Sequence, residues 1–247
     1  MKSYLTLSFT FLLAINSYAQ KGIRESYEPT TPIVIDGNVE EWNTEWLVDS
    51  DGKFLFNIGN NQENLYIRLK ISDDLTQQKI ASYGLFVKMD VNGKKKGKLG
   101  VKYPVGKDAR ELKQEQPPLP QDIAGRIYMK KQMLNEIEVL ELLGLSKENI
   151  VSSRLGLMNG IELIILANDQ GHYVYEAKIP FKAFRIDKSK SPILGITIET
   201  GKMDLAKGAP AAPNGGSQQG ANAQRNFSGS YNEMMIPSYM WVGMKLK

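Results

Sequence analysis

Apolar side chains recur at every second position in a series of short runs along this chain. The clearest runs from Leu65 to Ile71, where Leu65, Ile67, Leu69 and Ile71 alternate with Tyr66, Arg68 and Lys70. A strand turns successive side chains to opposite faces, so this spacing predicts a strand with its four aliphatic residues inward and Tyr66, Arg68 and Lys70 outward. Phe54, Phe56 and Ile58 alternate in the same way, and the polar stretch Asn60 to Asn64 joins the two runs as a hairpin. Gly84 to Val91 and Gly97 to Tyr103 form a second predicted hairpin around Asn92-Gly93, a dipeptide suited to positive φ. Further strands are expected at Ile33 to Ile35, ended by the Asp36-Gly37 turn, and at Gly156 to Leu166, Tyr173 to Ile179, Leu194 to Thr200 and Tyr239 to Leu246. A helix is predicted over Leu134 to Leu143, closed by Gly144, with Leu134, Ile137, Leu140 and Leu142 as core contacts. A second is expected near Gln77 to Tyr83. Many short strands, turn signals and one or two inserted helices predict an all-β antiparallel sandwich of two sheets.

Two segments interrupt the pattern. Lys113 to Asp122 is Pro-rich and reads as an extended loop; with the predicted helix it forms an insertion at about 104–153. Residues 207–230, rich in Gly, Ala, Gln and Asn, read as a low-complexity loop before the last strand. The N-terminus has Lys2, an apolar stretch from Leu5 to Ile15, and Ser17-Tyr18-Ala19 with small residues at −3 and −1. This is the pattern of a secretory signal peptide over 1–19, leaving 20–247 as one sandwich domain in the periplasm, outside the cell or at its surface. After cleavage no apolar run is long enough to span a membrane.

Composition narrows the chemistry. The 247 residues include no cysteine and one histidine, His172. Disulfides, thiolate metal sites and thiol nucleophiles are thereby excluded, and a multi-histidine metal site cannot form within one chain. Lys and Arg number 31 against 27 Asp and Glu. So small an excess gives no case for a nucleic-acid partner.

Three stretches carry a family resemblance. Pro32 to Trp42 contains Ile35-Asp36-Gly37 followed by Glu40-Glu41-Trp42. Asn64 to Asp74 contains Leu65-Tyr66, an alternating strand, and Asp73-Asp74. Tyr173 to Phe184 contains Tyr175-Glu176 and Ile179-Pro180, and Gly195 to Glu199 follows. In this order they resemble the family 9 carbohydrate-binding modules and their DOMON-like relatives. The resemblance implies a two-sheet β-sandwich, structural calcium, and sugars held between aromatic side chains. The Trp and acidic pair usual before the family's strand ending in Asp are replaced here by Ala81-Ser82-Tyr83-Gly84, whereas Asp90 matches.

A pyranose offers C–H faces that pack on aromatic rings and hydroxyls that need polar neighbours. Trp46, flanked by Glu45 and Asp49, Tyr66 on its strand's outer side, and Trp42 are the candidate ligand-binding residues; Trp42 and Trp241 also suit core packing. Asp36, Asp73 and Asp74 are the candidate calcium ligands, since calcium takes six to eight oxygens. Lys94, Lys95, Lys96 and Lys98 form a basic hairpin tip suited either to acidic glycans or lipopolysaccharide, or to protecting a sheet edge. No pair of carboxylates stands at a recognisable catalytic spacing. The expected function is an exported, non-catalytic carbohydrate-binding module with a glycan partner. The alternatives are a cell-envelope assembly protein that contacts other envelope proteins, a glycan-active enzyme, and a haem-binding DOMON-like domain.

Overall fold

A computed structural model describes residues 22–51, 53–107, 111, 120–135, 137–145, 150–151, 156, 158–204 and 232–247. The predicted signal peptide, the core of the Pro-rich loop and the low-complexity loop lie outside the described residues. The chain forms two sheets packed face to face. One has seven strands in the order β1 (Ile23–Glu25), β12 (Tyr239–Lys245), β11 (Ile193–Thr200), β5 (Leu85–Asp90), β6 (Leu99–Lys102), β7 (Glu141–Leu143) and β8 (Ile150–Val151). The other has five, in the order β2 (Leu47–Val48), β3 (Leu55–Asn60), β4 (Asn64–Ile71), β10 (Tyr173–Pro180) and β9 (Glu162–Ala167). The named pairings are antiparallel except β1 with β12. The two-sheet sandwich expected from the alternation is therefore the observed fold.

The interior collects the inward half of each strand. Leu65, Ile67, Leu69 and Ile71 of β4 meet Leu85, Val87 and Met89 of β5, Ile196 and Ile198 of β11, and Met240, Val242 and Met244 of β12 in one buried cluster. The β3–β4 hairpin turns where the Asn61 side chain accepts from the backbone N–H groups of Glu63 and Asn64, at 2.9 and 2.8 Å. That is the local bonding that makes Asn a turn residue.

The expected helix near Gln77 is longer than its apolar pattern suggested. α1 spans Asp74–Tyr83 because Asp73 caps it, accepting from the Thr76 N–H at 2.9 Å. Gly84 stops it at φ 89°. The helix expected at Leu134 to Leu143 is not present there. α2 spans Ile123–Asn135, with the Gly125 N–H donating to the Asp122 side chain at 2.6 Å, and residues 141–143 are β7. Leu140 and Leu142 are buried at a strand's period of two, and Gly144 at φ 74° follows a strand rather than a helix. The Ile33 to Ile35 strand is likewise replaced by irregular chain. Ile33 is fixed by packing on Trp42 and Tyr66, not by a ladder.

Candidate ligand-binding face

The two outer faces of the sandwich are dressed differently. Residues from Ser26 to Thr44 cross the outside of the five-stranded sheet and seal its centre. Tyr27 bridges to Gly59, where any Cβ would lie 2.8 Å from the Tyr27 carbonyl oxygen. Its ring stacks on Trp42 at 6.1 Å between centroids. Beneath lie Trp42, with no exposed surface, and Tyr66, 6% exposed, in a second small apolar cluster with Ile33. Tyr66 does point away from the sandwich interior, as the alternation predicted, but the N-terminal segment covers it. Trp42 and Tyr66 therefore offer no ring face to a ligand. Burial of a Trp requires a partner for its N–H, and here that N–H is spent on a carboxylate.

That carboxylate is Glu176, fully buried on β10 and opposite Arg68 of β4 in the strand register. It accepts from Trp42 Nε1 at 2.9 Å and from the Gly37 N–H at 2.8 Å. Burial pushes its carboxyl above the usual carboxylate range, against the pull of those two donors. Gly37 can approach because φ is 85° and it has no Cβ, which would otherwise lie 2.1 Å from Leu166 Cδ2. Arg68 donates to Asn57 Oδ1 at 2.8 Å, to the Val39 carbonyl at 2.8 Å and to the Thr44 carbonyl at 2.6 Å. Its desolvated guanidinium is lowered to about 10. The group lies 5.2 Å from the centre of Trp42 and 4.0 Å from that of Trp46. Trp46 is half-buried, with this cation over its ring.

The carboxylates named as calcium ligands are dispersed. Asp36 Oδ1 accepts from the Asn38 N–H within its own turn. Asp73 uses Oδ2 for the Thr76 N–H and hydroxyl and Oδ1 for Lys53 Nζ at 3.1 Å. Asp74 pairs with Lys130 at 3.0 Å. Among the described residues no three Asp, Glu or His side chains gather as a cation site, and this donor set does not fit calcium.

The seven-stranded sheet presents a different outer face. Strand register sets Tyr239 (β12), Glu199 (β11), Phe86 (β5), Lys102 (β6) and Glu141 (β7) in one row across it. The next row is Trp241, Thr197, Lys88 and Gly100. Neighbouring strands are about 4.8 Å apart, which puts Tyr239 and Phe86 about 10 Å from each other. Tyr239 is 36% exposed, and Phe86 and Trp241 are partly exposed. Thr197 lies between Trp241 and Lys88 with its hydroxyl covered and unpartnered. The β5–β6 hairpin tip folds back over the far end of this face, because a Cβ at Gly195 would lie 2.3 Å from the Lys94 carbonyl oxygen. That carbonyl accepts from Trp241 Nε1 at 3.1 Å and so fixes the indole.

At the Tyr239 edge the face runs into a groove of about 220 Å³ lined by Asp51, Lys53, Lys79, Glu233, Ser238 and others. The groove wall is wired in one direction. Thr76 gives its hydroxyl proton to Asp73 at 2.6 Å, so Ser238 must donate to Thr76 across 2.8 Å, and Lys79 Nζ donates to Ser238 at 3.5 Å. Ser238 therefore does not present its proton to Lys79, and the pair is not arranged as a nucleophile with its base.

The residues expected to form the aromatic surface, Trp46, Tyr66 and Trp42, do not include Tyr239 or Phe86. Both are outward positions of predicted strands, at the period that turns Met240 and Leu85 inward, and that alternation was the available signal.

No protein-family model matches the chain, and no curated protein matches its sequence. Among solved structures it is similar to a family 9 carbohydrate-binding module from Caldicellulosiruptor kristjanssonii, determined in complex with glucose. The two are 13% identical over 74% of this chain and 79% of that one, with a TM-score of 0.33.

Proposed function

We propose that this protein is an exported, non-catalytic glycan-recognition module that binds sugar on the outer face of its seven-stranded sheet. The observation that carries this reading is the grouping of Tyr239, Phe86 and Trp241, each at least partly exposed among the described residues, on one face with Glu199, Lys88, Lys102 and Glu141 set among them. Ring faces for C–H packing and side-chain donors and acceptors for hydroxyls are what a saccharide needs, and the spacing between Tyr239 and Phe86 accommodates consecutive sugar rings. The three sequence stretches that resemble family 9 modules support the same class, and the N-terminal pattern supports export. Calcium is not part of this reading.

The test is a binding panel of soluble and insoluble glycans with the purified protein and its Trp241→Ala and Phe86→Ala variants. Binding that both substitutions weaken supports the reading. A protein that binds no glycan, yet pulls down an envelope protein through this same face, fits the envelope-assembly alternative instead.

A further inference from the structure

Resting on the reading just given, we infer that the glycan is acidic, a polysaccharide carrying carboxylate or sulfate groups. Two of the rings on this face have ammonium groups over them. Lys95 Nζ is 5.1 Å from the centre of Trp241, and Lys88 Nζ and Lys102 Nζ are 4.8 and 4.9 Å from that of Phe86. A sugar stacked on either ring carries its substituents at the ring's rim, within reach of those groups. A lysine held against an aromatic is attracted by the ring's negative face. Lys95, exposed at the hairpin tip, can still turn N–H groups toward an anion, whereas Lys88 is paired with Glu199 and Lys102 is engaged as well.

The hairpin tip strengthens the case. Lys94, Lys95, Lys96 and Lys98 are all exposed, and the tip is bent over this face rather than away from it. An isolated run of turn lysines needs only solvent. Here the Trp241 N–H and the Gly195 gap fix the run at the margin of the aromatic rows. The acidic side chains of the face oppose this less than the lysines favour it. Glu199 is paired with Lys88, Glu141 stands opposite Lys102 in the strand register, and Asp90 turns its Oδ1 to the N–H groups of Asn92 and Lys94, so the positive surplus lies with the four lysines of the tip. The face thus combines stacking surface with a surplus of positive charge, which complements an acidic polymer and gives a neutral one nothing further.

The experiment compares matched polymers: polygalacturonate, alginate and chondroitin sulfate against fully methyl-esterified pectin, desulfated and esterified chondroitin, xylan and cellulose. Affinities are measured at 50 and 300 mM salt for the wild-type protein, Lys95→Ala/Lys96→Ala and Trp241→Ala. The expected result is at least tenfold tighter binding to an acidic polymer than to its neutralised counterpart. The affinity should fall severalfold with salt, and each variant should weaken it about tenfold with an unchanged melting temperature for the lysine variant. Equal, salt-insensitive binding of neutral polymers would overturn the acidic assignment and leave glycan recognition standing. Acidic binding that ignores Trp241→Ala would overturn it as well, since that is unspecific attraction to lysines. Failure to bind any polymer, acidic or neutral, would remove the underlying reading too.

Discussion

The indole N–H of Trp42 donates to Glu176 at 2.9 Å across 134 positions of sequence. This bond joins the first of the three family-like stretches to the third, and Arg68, from the second, faces Glu176 across the strand register. The residues that carry the resemblance thus meet in one buried assembly under the N-terminal segment. Its role is to clamp residues 26–44 onto the five-stranded sheet.

Removing the carboxylate exposes that role. Glu176→Ala leaves the Trp42 N–H buried and the Gly37 N–H part-buried without acceptors, at about 1–3 kcal/mol for the buried one and less for the other. Chemical denaturation should show a loss of several kcal/mol, and limited proteolysis should cut first between Ile33 and Thr44. A stability within 1 kcal/mol of wild type would show that the clamp is dispensable.

The same carboxylate predicts a pH dependence. Its folded pKa is raised by burial, so the native state holds this proton where the unfolded chain has released it. The group's contribution to stability is therefore fully present below the unfolded carboxyl's pKa and is lost as pH rises through the higher folded value. Glu176→Gln removes the titration. The stability of wild type relative to Glu176→Gln should accordingly decline as pH rises above the ordinary carboxylate range, read from thermal melts at a series of pH values. A difference independent of pH would contradict the assignment.

Asp73 works in the opposite sense. The Thr76 hydroxyl and N–H and the Lys53 ammonium hold its carboxyl below the usual range, although partial burial pushes the other way. Its stabilisation is present above the unfolded pKa and fades as pH falls through the folded one. Asp73→Ala should cost about 1 kcal/mol through loss of the α1 cap, with the deficit shrinking at acid pH. Because both Asp73 oxygens are engaged and Asp36 and Asp74 are spent elsewhere, melting temperatures in calcium and in EDTA should coincide; a calcium-dependent rise of several degrees would contradict this.

Arg68 and Trp46 give a further test. Arg68 makes three hydrogen bonds that a lysine cannot reproduce, two of them to carbonyls of the covering segment. Arg68→Lys should destabilise the protein by about 1–3 kcal/mol and quicken cleavage at residues 39–44, leaving glycan affinity within twofold. Loss of affinity without loss of stability would place the site on this side of the sandwich.

Much of the fold was legible because alternation in a half-buried strand is strong: β4, β5, β10, β11 and β12 lie within a residue or two of their expected bounds. The misplaced helix has a local cause. Leu134, Ile137, Leu140 and Leu142 fit a helix and a strand about equally well, and the deciding contact, Asp122 capping α2, lies outside that run. The binding face was harder to read. Alternation says that Tyr66 and Tyr239 both leave the interior, but only the path of residues 26–44 decides that the first is covered and the second open. Exposure of an outward position is a tertiary property that no local pattern carries.

The central claim is that the open seven-stranded face binds the sugar and the clamped face does not. Calorimetric titration of one bound glycan into the wild-type protein, Trp46→Ala and Trp241→Ala tests it most directly. The account predicts affinity within twofold of wild type for Trp46→Ala and at least tenfold weaker for Trp241→Ala, about 1.4 kcal/mol or more. The reverse order, with Trp46→Ala abolishing binding and Trp241→Ala leaving it intact, would contradict it.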